Sequence, residues 1–564
     1  MRGTPDVGGY LMRRMAFLVV AVVGTALLST PQARATVTDK VPGQFVAKLY
    51  TEGLGRAPDP AGWSVFLGGI RAAGCSRESL AQAARTIYTS GEFDMQYPAN
   101  EYAARVLTLY RGVLNRNAEQ QGLDGWAAGL SAHAITWPQV VDAFVAGPEF
   151  DGLANSICTS PATTNYFGPV GPPTLPLSGE GFPDDPAIDL NDPEQVTTAL
   201  QRQLRDTARQ GGGTVLLKQK VVLRLNRTLT VPSGVTLMTS GAPTPRSYAL
   251  QARLERWGLF NSEVIRVDPG ARLTNVWVDG QVLRPQPQLQ RPGMTNIEVE
   301  GGNGTEVSGT KVENSFGFSN IQVIGSGEGV PCQNALIASN LVTAYSSSHQ
   351  PLPGPYPDGE PVFADGITVS CEHATVVNNQ VVDATDVGII VFHAGGANQR
   401  SQVYGNTVLS AGNPGYGAYV AETGSHAAGE GIATHGFLGT SFHDNTYWTS
   451  PNTHVDFGLA VGTRAWWGDL VDLGTGAEFR RNGMAGNTAV VSTGIVVMGM
   501  QNATVQENGT SFVVVPANAC PHEAIAYEFD PYAAGRNLQP GGVQRSFLFP
   551  GATRGCIGGH NPGY

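Results

Sequence analysis

Short runs rich in valine, isoleucine and threonine, each closing on asparagine or glycine, recur throughout the second half of the chain. Two of them, Asp365-Gly-Ile-Thr-Val and Asp386-Val-Gly-Ile-Ile-Val, begin 21 residues apart. β-Branched residues favour strands, whereas asparagine and glycine favour tight turns. A repeat of about 20 residues built from strand and turn is typical of one coil of a parallel β-helix.

Asparagine recurs at the turn that follows many of these runs. Stacked asparagine side chains can exchange hydrogen bonds from one coil to the next. We therefore predict a structural ladder of asparagines at one coil corner, from the following residues: Asn340, Asn378, Asn379, Asn406, Asn445, Asn487 and Asn508. The spacing widens between Asn379 and Asn487, so these coils are expected to carry loop excursions, which usually build a binding face.

The repeats follow a clear helix signal. Asn191 or Asp192 is the predicted N-cap, and three glycines from Gly211 to Gly213 end the helix. Apolar residues fall on one helix face: Val196, Leu200, Leu204 and Ala208. Short strands come next, from Thr214 onward. This order resembles the N-terminal cap of the pectin-lyase-like superfamily. The resemblance implies a right-handed parallel β-helix over residues 191–564, with an N-terminal helical cap.

An internal repeat with an offset of 60 residues occupies residues 42–158. Phe45-Val-Ala-Lys-Leu-Tyr followed by Leu54-Gly-Arg recurs as Val106-Leu-Thr-Leu-Tyr followed by Leu114-Asn-Arg. The apolar spacing is helical. This pattern resembles the DUF4214 domain, which implies a small all-α accessory module. Asp59 and Asp124 in its turns suit either helix capping or a cation or sugar contact. Residues 159–190, rich in proline and glycine, are predicted to be a linker.

The N-terminus has the form of a secretory signal peptide over residues 1–35. Arg13 and Arg14 precede an apolar run from Met15 to Leu28, and Ala33-Arg-Ala35 offers a cleavage site. We therefore expect a secreted or cell-surface bacterial protein with no transmembrane segment in the mature chain. The net charge of −11 becomes −14 after cleavage, which argues against nucleic acid and anionic lipid as partners.

The six cysteines all lie after the signal, and an even count in an exported protein predicts disulfides. Their positions suggest one pair in each region, out of 15 possible connectivities. The suggested pairs are Cys75–Cys158, Cys332–Cys371 and Cys520–Cys556, the last stapling the C-terminal end. The sequence has no Cys-x-x-Cys or His/Cys cluster, so a zinc site is not expected.

Asp365 and Asp386 are the candidate catalytic carboxylates. If they occupy equivalent positions on successive coils, the strand spacing of about 4.8 Å brings them close together, and one pKa rises. Such a pair suits acid/base cleavage of a glycosidic bond, with His393 assisting. The phrase at Asp365 resembles the Asn-Thr-Asp-Gly phrase of polygalacturonase-type glycoside hydrolases, although the second phrase lacks their adjacent aspartates. An equal alternative is that both aspartates merely cap turns.

The long excursion between Asn406 and Asn487 holds candidate substrate-binding residues: Glu422, His435, Arg464, Trp466 and Trp467. Tryptophan faces pack well against sugar rings. The alternative is that the two tryptophans seal a loop against the coils. No basic cluster of the kind that polysaccharide lyases use appears, and a bound metal is unknown, with calcium a possibility.

Three functions follow from these patterns. The leading expectation is a glycoside hydrolase that acts on an extracellular polysaccharide or cell-wall glycan by carboxylate acid/base catalysis. The second is a non-catalytic surface or adhesion protein, in which the β-helix is a rigid stalk. The third is a polysaccharide lyase. No cofactor is expected with certainty, and the oligomeric state is unknown.

Overall fold

A computed structural model describes the following residues: 40–159, 175–241, 246–258, 260, 262–281, 295–315, 317–325, 332–344, 364–392, 399–412, 415–423, 433–450, 453, 455–462, 472–483, 489–509, 512–514, 525–529 and 535–538. The chain is mainly β, with a helical module before a parallel β-helix. None of the described helices is long and apolar enough to cross a membrane. The predicted signal peptide lies outside the described residues.

Eight α-helices and one π-helical turn (Leu49–Leu54) build the module. The α-helices are α1 (Lys40–Lys48), α2 (Pro60–Ala72), α3 (Arg77–Tyr88), α4 (Gly91–Gln96), α5 (Tyr102–Gly112), α6 (Gln120–Ser131), α7 (Trp137–Ala146) and α8 (Pro148–Thr159). The predicted bond between Cys75 and Cys158 is present and ties α8 to the turn between α2 and α3.

The β-helix has three long parallel sheets, and most coils contribute one strand to each. Sheet 1 contains β1 (Gly213–Leu217), β4 (Val235–Thr239), β7 (Arg272–Thr274), β10 (Glu306–Ser308), β13 (Leu336–Ala338), β16 (Thr375–Val377), β19 (Gln402–Tyr404), β23 (Ser441–His443), β27 (Glu478–Arg480), β30 (Ala503–Gln506) and β33 (Gly535–Leu538). Sheet 2 contains β2 (Val222–Leu225), β5 (Ala252–Arg256), β8 (Val276–Asp279), β11 (Lys311–Glu313), β14 (Leu341–Thr343), β17 (Gln380–Val382), β20 (Thr407–Ser410) and β24 (Thr446–Thr449).

Sheet 3 contains β3 (Leu229–Val231), β6 (Ile265–Val267), β9 (Ile297–Glu300), β12 (Ser319–Ile324), β15 (Asp365–Val369), β18 (Val387–Phe392), β21 (Gly415–Glu422), β25 (Val455–Val461), β28 (Ala489–Val497) and β31 (Phe512–Val514), with β32 (Ile525–Phe529) also pairing with β28. A small sheet 4 contains β22 (Thr434–Gly436), β26 (Leu473–Thr475) and β29 (Met500–Gln501). Sheet 4 adds a fourth side to the later coils.

The core consists of side chains that repeat from coil to coil. The parallel register of sheet 3 stacks Ile265, Ile297, Ile321, Ile367 and Ile389 in one row, and all five are fully buried. β-Branched side chains fit such pleated, two-sided packing. This explains why the valine- and isoleucine-rich runs of the sequence correspond to strands.

The N-terminal end of this core is closed by helix α9 (Pro193–Arg209). The side chain of Asp192 caps it by accepting from the backbone N–H groups of Glu194 and Gln195. The predicted apolar face meets the first coil, and Val196, Leu200 and Leu204 are fully buried there. The predicted cap helix is therefore confirmed.

The predicted asparagine ladder is confirmed, with Asn379 as the member from the adjacent Asn378 and Asn379 and with one change of member further along. The side-chain amide of each residue donates to the side-chain oxygen of the next at 2.8–3.0 Å, in the order Asn340, Asn379, Asn406, Asn445, Asn482 and Asn508. Asn482 takes the place predicted for Asn487, which lies outside the described residues. The ladder satisfies buried backbone groups at one corner of six successive coils.

Replacing Asn406 with leucine is expected to lower the free energy of unfolding by about 3 kcal/mol, at about 1–3 kcal/mol for each buried polar group left unpaired. The Asn406 amide accepts from the backbone N–H of Asn379 and donates to the carbonyl of Val376. Thermal denaturation followed by circular dichroism measures the effect. The adjacent Thr407→Val, which loses a half-buried hydroxyl contact to Thr446, serves as the control and should cost less than about 1 kcal/mol. Equal losses in both variants would contradict the structural role of the ladder.

The second half of the predicted linker differs from expectation. Residues 175–190 are described, and Phe182 is 4% exposed and forms a parallel bridge with Leu217 of β1. Phe182 also packs into the core of the β-helix. This segment is thus part of the first coil's packing and not a free spacer.

The module packs directly against the outer face of sheet 2. One continuous apolar cluster contains module residues such as Leu107 together with Trp277, Leu341, Val382 and Trp448 of the sheet. A second predicted disulfide, Cys332–Cys371, links adjacent coils of the β-helix. The third predicted pair, Cys520 and Cys556, lies outside the described residues.

Candidate functional site

The outer face of sheet 3 changes character along the β-helix. One outward row, aligned by the strand register, runs through Arg266, Glu298, Gln322, Thr368, Ile390, Val420, Ala460 and Val496. Its first members are charged or polar, and from β18 onward the row is apolar. Ile390 and Val420 belong to a buried cluster that is separate from the main core and includes Phe457 and Met498. The polar members of this row therefore lie on strands β6 to β15.

Four acidic groups and one guanidinium meet at the start of this face. Arg266 lies 2.6 Å from Glu263, 3.3 Å from Glu298 and 3.8 Å from Glu300. Burial, reinforced by the nearby charge of Glu263, raises the pKa of Glu298 to about 7. Burial also raises the pKa of Glu300 and of Asp268. Glu298 consequently holds its proton close to neutral pH, which is the property required of a general acid.

Asp365 opens strand β15 on the same face, with 7% of its surface exposed. One carboxylate oxygen accepts from the backbone N–H of Val387 at 3.1 Å, and the other accepts from the Thr368 hydroxyl at 2.7 Å. Donors to a carboxylate stabilise its ionised form. The contact with Thr368 also turns the Asp365 carboxylate toward the row that contains Glu298.

The register of sheet 3 does not place Asp365 and Asp386 at equivalent positions. Ile367 pairs with Ile389, an offset of 22 residues. The position on the next coil that is equivalent to Asp365 is therefore occupied by Val387. Asp386 lies one residue before strand β18. A one-residue difference directs a side chain to the other face of a strand. The geometric premise of the predicted pair, equal positions one coil apart, is therefore wrong, because the two phrases are aligned by their isoleucines and not by their aspartates.

Other predicted residues are dispersed. Glu422 ends strand β21, is 5% exposed, and pairs in register with Phe392 on the outer face of sheet 3. His435 lies on sheet 4, where its Nε2 is 2.8 Å from the carboxylate of Asp472. That carboxylate also accepts from the backbone N–H of Ala433. His393, Arg464, Trp466 and Trp467 lie outside the described residues.

Sequence reasoning missed Glu298 and its neighbours. The signal was present in Ile297-Glu-Val-Glu300, where two acidic residues alternate with core residues in a strand. Alternation places both on one face. Their meeting with Glu263 and Arg266 depends on coil register, which the sequence does not reveal. Within the described ranges, no group of three or more His, Cys, Asp or Glu side chains is arranged to hold a metal ion.

The module's turn residues have a structural role. Asp59 caps α2 by accepting from the backbone N–H of Gly62 at 2.9 Å and also binds Arg56. Arg56 stacks over Tyr50, and the second repeat reproduces this with Arg116 over Tyr110. The repeated tyrosine and arginine of the two units thus form two equivalent cation–π contacts. Asp124 accepts from Gln120 on the same helix, an ordinary surface contact.

Comparisons with known proteins concern both parts of the chain. Residues 84–154 match the family model "Domain of unknown function (DUF4214)", within the predicted module. A tailspike protein mutant of E. coli bacteriophage HK620 is similar, with a TM-score of 0.36 and 12% identity over 64% of this chain and 62% of that chain. This chain therefore spans less than two thirds of the tailspike's length. No curated protein matches the sequence.

Two further solved structures are similar at comparable levels. Endo-xylogalacturonan hydrolase from Aspergillus tubingensis has a TM-score of 0.33 and 12% identity over 64% of this chain and 97% of that chain. The catalytic unit of an alpha-1,3-glucanase from Streptomyces thermodiastaticus has a TM-score of 0.29 and 12% identity over 61% of this chain and 66% of that chain. The parallel β-helix of this chain is established by its own three sheets.

Proposed function

We propose that this chain is an extracellular carbohydrate-active protein that hydrolyses a polysaccharide bound along the outer face of sheet 3. The observation that carries the proposal is the contrast between two carboxyl groups on that face. Glu298 has a pKa of about 7, whereas Asp365 is held by two hydrogen-bond donors. Environments that separate two carboxyl groups in this way define an acid and a base.

We propose that the spacing of the pair allows glycosidic cleavage. Glu298 aligns with Gln322 on the next coil and Thr368 on the one after, so two strand spacings, about 10 Å, separate its backbone from that of Thr368. The carboxylate of Asp365 contacts Thr368. Inverting glycosidases place their carboxyl groups about 6.5–9.5 Å apart, which leaves room for a water molecule.

Each group then has one role. Protonated Glu298 donates its proton to the glycosidic oxygen as the bond breaks, and ionised Asp365 takes a proton from the attacking water. Gln322, on the coil between them, offers its amide to a sugar hydroxyl. Asp386 is the second candidate for the base and His393 for a proton relay. Five residues keep their proposed role as sugar contacts: Glu422, His435, Arg464, Trp466 and Trp467.

The charge of this face indicates the class of glycan. Among its described side chains, Arg266 is surrounded by three carboxyl groups, and Asp268 and Asp365 add further acidic groups. A polymer bearing carboxylate, sulfate or phosphate would be repelled here. We therefore propose a glycan without acidic groups. The same charge disfavours a lyase acting on uronates, because the guanidinium is already neutralised.

A panel of purified polysaccharides tests the function. The secreted protein is expected to release reducing ends from at least one neutral or amino-sugar glycan and none from polyuronates. Binding without product from every glycan would instead favour the adhesion function. Products carrying an unsaturated uronate, detected by ultraviolet absorbance, would indicate a lyase and contradict the acid/base assignment.

A further inference from the structure

The outer face of sheet 2 carries charged residues that are almost completely removed from solvent. Lys311 and Glu313 on strand β11 are 1% and 3% exposed. The module meets them with Arg111 from helix α5 and Glu52 from the π-helical turn, which are 2% and 5% exposed. Charged side chains are rarely buried to this degree unless they are paired. The pairing of these charges therefore restricts how the two bodies, the helical module and the β-helix, can fit together.

These four side chains form a closed ring of alternating charge. Arg111 lies 2.8 Å from Glu52, and Glu52 lies 2.8 Å from Lys311. Lys311 lies 3.3 Å from Glu313, and Glu313 lies 3.1 Å from Arg111. Each body supplies one cation and one anion. We call this set the charge ring.

Trp277 on the neighbouring strand β8 forms the base of the charge ring. Its indole N–H donates to Glu313 at 3.0 Å. The Lys311 ammonium lies 4.2 Å from the ring centroid, and the Arg111 guanidinium lies 4.6 Å from it. Cations over a tryptophan face are attracted to it, and more strongly when they are desolvated. Arg253 of the β-helix lies 4.3 Å from the same centroid, so the indole contacts two cations of the β-helix and one of the module.

The surrounding charges favour the ionised ring. Burial opposes ionisation of Glu52, but Arg111, Lys311 and Lys48 outweigh it and hold the pKa of that carboxyl well below its usual range. Burial also opposes ionisation of Glu313, but Lys311 and Arg111 lower the pKa of its carboxyl group to about 2. Both carboxyl groups of the charge ring are thus ionised at neutral pH.

Polar contacts at the edges of the interface fix the same placement. The backbone N–H of Ala57 donates to the side chain of Gln380 on β17 at 2.7 Å. Lys220 of the β-helix lies 2.8 Å from Glu101 of the module. A side chain at Gly55 would overlap the Arg246 carbonyl oxygen, so the two main chains approach closely there. A module shifted by one strand would lose all of these contacts.

We infer that the helical module is an intramolecular binding partner of sheet 2, that the charge ring sets its docking position, and that the module stays bound without its covalent link. The apolar contact around Trp277, Leu341 and Trp448 provides the driving force for association. The charge ring supplies specificity, because any other position buries like charges or leaves a charge unpaired.

A cleavable chain tests this inference. A sequence-specific protease site is placed within residues 161–174, between helix α8 and the segment that packs on the β-helix. One described disulfide lies within the module and the other within the β-helix, so neither links the two fragments after cleavage. The two wild-type fragments are expected to co-elute as one species in size-exclusion chromatography.

Exchanging the charges of two ring residues then tests the contribution of the charge ring to binding between the fragments. Glu52→Lys with Arg111→Glu keeps an opposite-charge pair inside the module. The exchange places an ammonium group against Lys311 and a carboxylate against Glu313. We expect the fragments to separate, with the dissociation constant raised at least about 100-fold. Adding Lys311→Glu and Glu313→Lys restores the alternation and should restore co-elution.

A matched exchange in an exposed module pair is the control. Arg116 and Glu149 form an ion pair on the module surface, and neither is a member of the charge ring. Arg116→Glu with Glu149→Arg should leave co-elution of the fragments unchanged.

Three results would overturn the inference. One is separation of the wild-type fragments. The second is co-elution of the module-exchanged fragments with wild-type affinity. The third is failure of the fourfold exchange to restore binding while circular dichroism shows both fragments folded.

Discussion

Replacing Glu298 with glutamine is expected to lower the rate of glycan hydrolysis by about 10²–10⁴-fold, the usual contribution of a general acid. Glutamine keeps the size of the side chain and its polar contacts but has no proton to donate. Because Glu298 lies on the outer face and not in the core row, the fold should be retained. Initial rates of reducing-end release on the glycan cleaved by the wild type measure the effect.

A matched control is Glu306→Gln. Glu306 also lies on a β-strand of the early coils, but on the outer face of sheet 1, where its carboxylate is 25% exposed and 3.9 Å from Arg272. The rate of glycan hydrolysis by Glu306→Gln should stay within about twofold of the wild type, since a surface ion pair contributes little to stability. An unchanged rate in Glu298→Gln would remove Glu298 from the mechanism.

Replacing Arg111 with methionine is expected to lower the free energy of unfolding by about 3–5 kcal/mol, the cost of removing one partner from a buried ionic group. Arg111 contacts both Glu52 and Glu313, so its loss leaves two buried carboxylates with a single shared Lys311 and weaker partners. Chemical denaturation followed by the helical circular dichroism signal measures the module's stability.

The control is Arg85→Met in the same module. Arg85 is 28% exposed and pairs with Asp142 and Glu78, which are both exposed. Exposed pairs of this kind contribute about 0–1 kcal/mol. If both variants lose the same stability, the charge ring has no special energetic role.

The features that the sequence predicts correctly are those that repeat locally. Successive coils repeat valine and isoleucine in their strands, and six of them repeat a corner asparagine, so Ile367 and Asn406 could be assigned from their neighbours alone. The cap helix follows from Asp192 and one apolar face. Two disulfides followed from cysteine positions. Such signals need no knowledge of how distant segments meet.

The features that could not be predicted depend on register between coils or on contact between distant segments. A shift of one residue separates Asp386 from the position that pairs with Asp365. The pKa of Glu298 is raised first by burial between neighbouring coils and then by Glu263, which lies just before the adjacent strand β6 and one coil earlier in the sequence. The charge ring joins Arg111 to Glu313 across 202 residues. No local pattern in the sequence specifies these contacts.

The pH dependence of kcat/KM on the cleaved glycan tests the central claim most directly. Glu298 must be protonated to act, and burial together with Glu263 raises its pKa to about 7. We therefore expect full activity on the acidic side of this value, with kcat/KM falling about tenfold for each pH unit as pH rises beyond about 7. Activity that stays constant or rises from about pH 7 to about pH 9 would contradict the assignment of Glu298 as the acid.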